Sequence, residues 1–156
     1  MAHLTAIVML FLIPSGVRLA WGKPVGPPEV AWKAMTAQQK RTYMKAAVTP
    51  TMKPIFQAFD PKKFKTFNCV TCHGRDGADR KFKMPSNDIH PLPNTPAAFE
   101  AKLKSEPTWP KWTEFMSQKV EPAMGKLLDL PVFDPRKPVE GAFGCANCHK
   151  LEAAAP

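Results

Sequence analysis

The chain has 156 residues, 44% of them hydrophobic and 22% charged, and a formal net charge of +9. That length holds one domain, or two very small ones sharing a core. The 18 prolines beside 8 glycines exclude a long-stranded sheet and any unbroken long helix over most of the chain, because proline lacks a backbone donor and crowds the preceding helical turn. The 4 cysteines are too few for a disulfide-dense scaffold, and the positive balance points to an acidic partner or surface.

Leu4 to Ile13 form an apolar run, followed by Pro14-Ser15-Gly16 and the small residues Ala20 and Gly22. This pattern predicts a signal peptide over residues 1–22, and an exported, periplasmic location for a mature domain over residues 23–156. The run is short for a membrane anchor.

The first element predicted beyond it is a helix from Glu29 to Val48, behind Pro27 and Pro28, with apolar residues at helical spacing. Pro50 should kink or end it. A short helix follows, then Phe59-Asp60-Pro61 as a turn, since aspartate caps its own backbone and proline presets the dihedral. Cys69-Val70-Thr71-Cys72-His73 comes next, and a Pro-, Asn-, Asp- and Gly-rich loop runs from Gly74 to Pro96. Thr95-Pro96 reads as the cap and first position of a helix ending near Ser105. A second helix carries Trp112, Phe115, Met116 and Val120 as an apolar stripe before Pro122. Asp134-Pro135 repeats the turn, and Cys145-Ala146-Asn147-Cys148-His149 closes the series. The class is all-α: short helices and proline-rich loops.

Every cysteine of the chain thus lies in a C-x-x-C-H pentapeptide, the attachment pattern for c-type haem. Positions i, i+3 and i+4 share one helical face. Two thiols there can form thioethers with one haem, and the histidine is aimed at its iron. Paired C-x-x-C zinc knuckles and thiol–disulfide motifs compete for the same spacing, but neither requires the histidine. On these two pentapeptides and their surroundings, the sequence resembles the c-type cytochromes, as a small diheme member. The resemblance implies two covalent haem c groups wrapped by the helices and loops, held through Cys69, Cys72 and His73 and through Cys145, Cys148 and His149. It also implies one-electron transfer rather than catalysis.

The haem motifs sit inside a longer duplication. Tyr43-Met44 matches Phe115-Met116, Val48-x-Pro50-x-Met52 matches Val120-x-Pro122-x-Met124, and the two Phe-Asp-Pro turns correspond. Order is kept throughout, so the chain reads as two haem-binding units, roughly residues 37–73 and 109–149.

The sixth ligand of each iron decides between carrying electrons and binding small molecules. Histidine is scarce: His3 falls in the signal peptide, His73 and His149 are the motif histidines, and only His90 remains. Bis-histidine ligation of both irons is therefore impossible within one chain. Met52 and Met124 are the predicted ligands, each two residues after a proline, where a kink can turn the side chain. Met84, eleven residues after His73, is the alternative for the first haem. It lies downstream, as in class I cytochromes c. No methionine follows His149, so the second unit departs from that pattern and must take its ligand from upstream, as class II cytochromes do.

Between Lys53 and Lys83 there are 8 basic residues and 3 acids, a local charge of +5, whereas the stretch from Glu121 to the C-terminus carries −1. The first haem is therefore expected to face an acidic redox partner. The leading function is an exported electron carrier. The alternatives are a small haem enzyme or gas-binding protein with one open iron, and a fixed haem subunit of a membrane respiratory or photosynthetic complex.

Overall fold

A computed structural model describes residues 26–153, so the predicted signal peptide lies outside the described residues. The architecture is all-α. Among the described residues there is no strand, only isolated bridges between Leu92 and Leu151 and between Val132 and Phe143. No described helix is long and apolar enough to cross a membrane.

Helix α1, Ala37–Tyr43, starts later than the sequence pattern suggests. Thr36 ends the preceding chain by accepting from the Gln39 N–H, while the Gln39 side chain accepts from the Thr36 N–H. This reciprocal cap satisfies donors that a new helix leaves orphaned. Glu29 to Ala34 forms only a turn and a 3-10 turn.

Pro50 does not break the helix. Residues Met44–Val48 form a π-helical turn between α1 and α2, Thr49–Phe59. The Thr49 N–H bonds to the Met44 carbonyl, five residues back. Pro50 has no N–H for the Ala46 carbonyl, and the widened turn absorbs the mismatch. Pro50 and Pro54 are both exposed, so carbonyls they leave unpaired can meet water. The second unit repeats the device. Helix α5, Trp109–Phe115, passes through the Met116–Val120 π-helical turn into α6, Glu121–Leu128, and the Glu121 N–H bonds to the Met116 carbonyl. Of the two expected outcomes, a kink or an end, the end is corrected: the helical run continues past each proline through a widened turn.

The two widened helices pack crosswise. Helix α2 meets the second unit's π-helical turn, and α6 meets the first unit's. Their shared core is aromatic. Phe115 stacks on Phe59, with centroids 4.0 Å apart, and meets Phe56 edge-on at 5.2 Å. Phe56 also touches Phe64 and Phe67, the two phenylalanines that lead to the first cysteine motif. The Tyr43 hydroxyl donates to the Leu127 carbonyl at 2.6 Å, joining α1 to α6. One core therefore serves both units.

The remaining helices frame the motifs. Helix α3 is Cys69–His73 itself. Helix α4, Pro96–Ser105, is capped by Thr95, whose Oγ1 accepts from the Ala98 N–H, as the Thr-Pro pair predicts. Both Phe-Asp-Pro turns form. Asp60 Oδ1 accepts from the Lys62 and Lys63 N–H groups, and Asp134 Oδ1 from the Arg136 N–H.

Candidate functional site

Each cysteine motif is nucleated by its own flanking residues. Asn68 Oδ1 accepts from the Val70 N–H at 2.9 Å, and Thr71 Oγ1 accepts from the Asn68 N–H. Gly74 ends α3 at φ +79°, a region where a side chain is strained. In the second motif Asn147 stands where Thr71 stands in the first, and its Oδ1 accepts from the Gly144 N–H at 2.7 Å. That turn is 3-10, Cys145–Asn147. The His149 N–H still bonds to the Cys145 carbonyl at 2.9 Å, so the C-x-x-C-H spacing wraps as one turn in both motifs.

The two motifs are brought together. Cys72 stands close enough to Cys148 to be among the charges that raise its thiol. Burial, followed by Cys72, Cys145 and Glu121, pushes the Cys148 thiol up to about 12. Burial, followed by Cys69, pushes Cys72 up to about 11. Cys145 is raised by burial and then by Glu121. These thiols stay protonated at neutral pH. A thiol–disulfide motif needs the opposite, a lowered thiol. Paired zinc knuckles need four donors around one ion, and among the described residues no three His, Cys, Asp or Glu side chains converge in a metal-holding group.

The histidines suit an iron ligand. The His149 Nδ1 lies 2.7 Å from the His90 carbonyl. A backbone acceptor on Nδ1 fixes the ring and leaves Nε2 as the donor to a metal. Burial, then the nearby Arg80 guanidinium, holds the His73 imidazole below its ordinary range, in the neutral form that metal ligation needs. Its buried Nδ1 has no hydrogen-bond partner, unlike that of His149. A ring-fixed His149 and a half-buried His73, each directly after a C-x-x-C pair on one turn, fit the donor set that a covalent haem c would take.

The predicted methionines divide. Met52 is 2% exposed and lies inside the shared aromatic core. Met124 packs against that core. The cleft beside Cys145, Cys148 and His149 is lined by Met116, Val120 and Glu121, from the second widened helix. Met84 is half-buried in the loop after the first motif. The His90 side chain is exposed and meets Trp109 edge-on at 5.6 Å; its contribution to the site is its carbonyl.

The loop after His73 also differs from expectation. It reaches the second motif as well as the first. Ser86, His90 and Leu92 bond to Cys148, His149 and Lys150 respectively. Arg80, counted by sequence in the basic stretch, points inward onto the His73 carbonyl at 2.7 Å. Nothing in a single Arg among many marks it for that role. The other seven basic residues between Lys53 and Lys83 are exposed. No family model, no curated protein and no solved structure matches the chain.

Proposed function

We propose that this protein is an exported diheme c-type cytochrome that carries single electrons between redox partners. The observation that carries the reading is the pair of C-x-x-C-H segments, each wrapped as one turn, joined through Ser86 and Leu92, with His149 Nδ1 2.7 Å from the His90 carbonyl. When bound, haem c supplies a one-electron couple at its iron. Cys69 and Cys72 would hold one group by thioethers, and Cys145 and Cys148 the other. His73 and His149 would each ligate an iron, and the His90 carbonyl orients His149. Methionines of the two widened helices would supply the remaining ligands. Met52 and Met124 are favoured by their position after the prolines. Met84 competes at the first site, and Met116, in the cleft, at the second.

The exposed lysines Lys53, Lys62, Lys63, Lys65, Lys81 and Lys83, with Arg75, form the surface for an acidic partner at the first haem. Positive potential there raises encounter rates and loses effect as salt rises.

The test is expression with c-type maturation, followed by haem staining on a denaturing gel and visible spectra with and without carbon monoxide. Two covalent haems that ignore carbon monoxide are expected. A chain without covalent haem refutes the proposal. A carbon monoxide-binding haem replaces the carrier with a gas-binding protein or small haem enzyme.

A further inference from the structure

The two cysteine motifs are distant in sequence yet hang from one strap, residues 86–92. Ser86 is 0% exposed, a fully buried polar side chain among the described residues. Its N–H donates to the Cys148 carbonyl at 3.2 Å. On its other side it presses on the end of the first motif: a Cβ added to Gly74 would lie 2.8 Å from the Ser86 Oγ. That Oγ accepts from the Asp88 N–H at 3.2 Å and lies 3.5 Å from Arg80 Nη2.

Arg80 completes the joint. Its guanidinium donates to the His73 carbonyl at 2.7 Å, the Lys83 carbonyl at 2.6 Å and Asp76 Oδ2 at 2.7 Å, and reaches the Pro85 carbonyl at 3.4 Å. Asp88 Oδ2 accepts from the Arg75 N–H at 2.7 Å. Downstream, the His90 carbonyl faces His149 Nδ1, and Leu92 exchanges bonds of 2.8 Å with Lys150 and Glu152. Holding a buried hydroxyl beside a partly buried guanidinium is costly unless both are bonded. Every Arg80 nitrogen has a partner, although Asp76 Oδ1 next to it is buried with none, and a network bonded at its centre in this way favours one arrangement. Packing alone could be met by an apolar residue, so the network's product is geometry.

From this geometry we infer that Arg80 and Ser86 are positioning residues that lock the two haem-carrying peptides together, making the two haems one directly coupled redox pair. The inference rests on the haem reading above. In such a pair the oxidation state of one site shifts the potential of the other. When bound, the two haems would supply two one-electron couples, filled by a donor protein and emptied by an acceptor protein.

The experiment uses the full-length holoprotein. Covalent haem is counted first; its absence sinks the haem reading and this inference together. With both haems present, circular dichroism in the Soret band and a potentiometric titration follow. A bisignate Soret signal and interacting midpoints are expected. A single-signed signal with independent midpoints overturns the coupling and leaves the haem reading intact. Arg80→Gln and Ser86→Ala then test the joint, with Arg136→Gln as a charge-matched control, since the Arg136 side chain is 87% exposed and pairs with Asp134, away from the strap. Loss of the bisignate signal in Arg80→Gln with its retention in Arg136→Gln is expected. If Arg80→Gln keeps the full signal, or Arg136→Gln loses as much, the positioning role is refuted. Should Arg80→Gln fail to load haem, Ser86→Ala, which removes only the Oγ acceptor, decides: an unchanged signal refutes the role.

Discussion

Replacing Phe115 by alanine tests whether the two repeated units share one core. Phe115 belongs to the second unit, is 6% exposed, and stacks on Phe59 of the first at 4.0 Å with an interplanar angle of 13°. Phe56 meets it edge-on at 5.2 Å, and Trp112 lies 6.2 Å away. Truncating a buried phenylalanine costs about 3–5 kcal/mol, from lost transfer energy and the cavity left behind. The upper part of that range applies, because rings on both sides are held by other partners and cannot collapse inward. Phe56 is fixed by Phe64 and Phe67, and Phe59 by Trp112. A loss of about 4 kcal/mol is a large share of a typical domain's roughly 5–15 kcal/mol. The assay is urea unfolding of the holoprotein, followed by far-ultraviolet and Soret signals together. One transition is expected in the parent, and in Phe115→Ala a lower midpoint with an unchanged slope. Val139→Ala, at a site 55% exposed, should move stability by no more than about 0.5 kcal/mol. Two separate transitions in the parent, or a cost under about 1 kcal/mol in Phe115→Ala, would refute the single shared core.

Three further outcomes are expected. Among the leucine variants of Met52, Met84, Met116 and Met124, which conserve volume, Met52→Leu and Met124→Leu should each open one iron to carbon monoxide. Binding by Met116→Leu in place of Met124→Leu would give the second site to the methionine in the cleft, and binding by Met84→Leu would do the same at the first. Reversing Lys62, Lys63 and Lys65 to glutamate should slow electron transfer with an acidic redox protein by about tenfold or more at low salt. The same change at Arg136 and Lys137 should do little, and equal effects at both places would defeat the docking assignment. Gly125→Ala should destabilise the protein despite alanine's better helix propensity. The new Cβ would lie 2.7 Å from Val132 Cγ2, and overpacking costs about 1–3 kcal/mol against a propensity gain of about 1 kcal/mol. A raised melting temperature would contradict that packing.

Much of the helical framework was legible in local chemistry. Thr95-Pro96 announced α4, and the Phe-Asp-Pro turns closed through aspartate caps as written. These are interactions within a few residues, where side-chain type alone settles the outcome. The start of α1 was missed by eight residues, from Glu29 to Ala37, because apolar spacing continues upstream of the Thr36 cap. Proline was read as a kink or an end to each helix, and the run instead continues through one widened turn, which accommodates the missing N–H.

The sequence by itself determined the chemistry: two C-x-x-C-H motifs, a shortage of histidine, a duplicated methionine and proline frame, and a charge imbalance between the halves. Those depend on residue type and on spacing within a single turn. Tertiary structure alone decided that the units cross through one aromatic core, that Cys72 lies near Cys148, and that Arg80 leaves the basic surface to hold the first motif's end. It also decided that the carbonyl of His90, rather than its imidazole, serves His149. Each of these joins residues far apart in the chain through backbone groups, and every residue carries the same carbonyl and, proline aside, the same N–H, so composition and periodicity leave no trace of which ones meet.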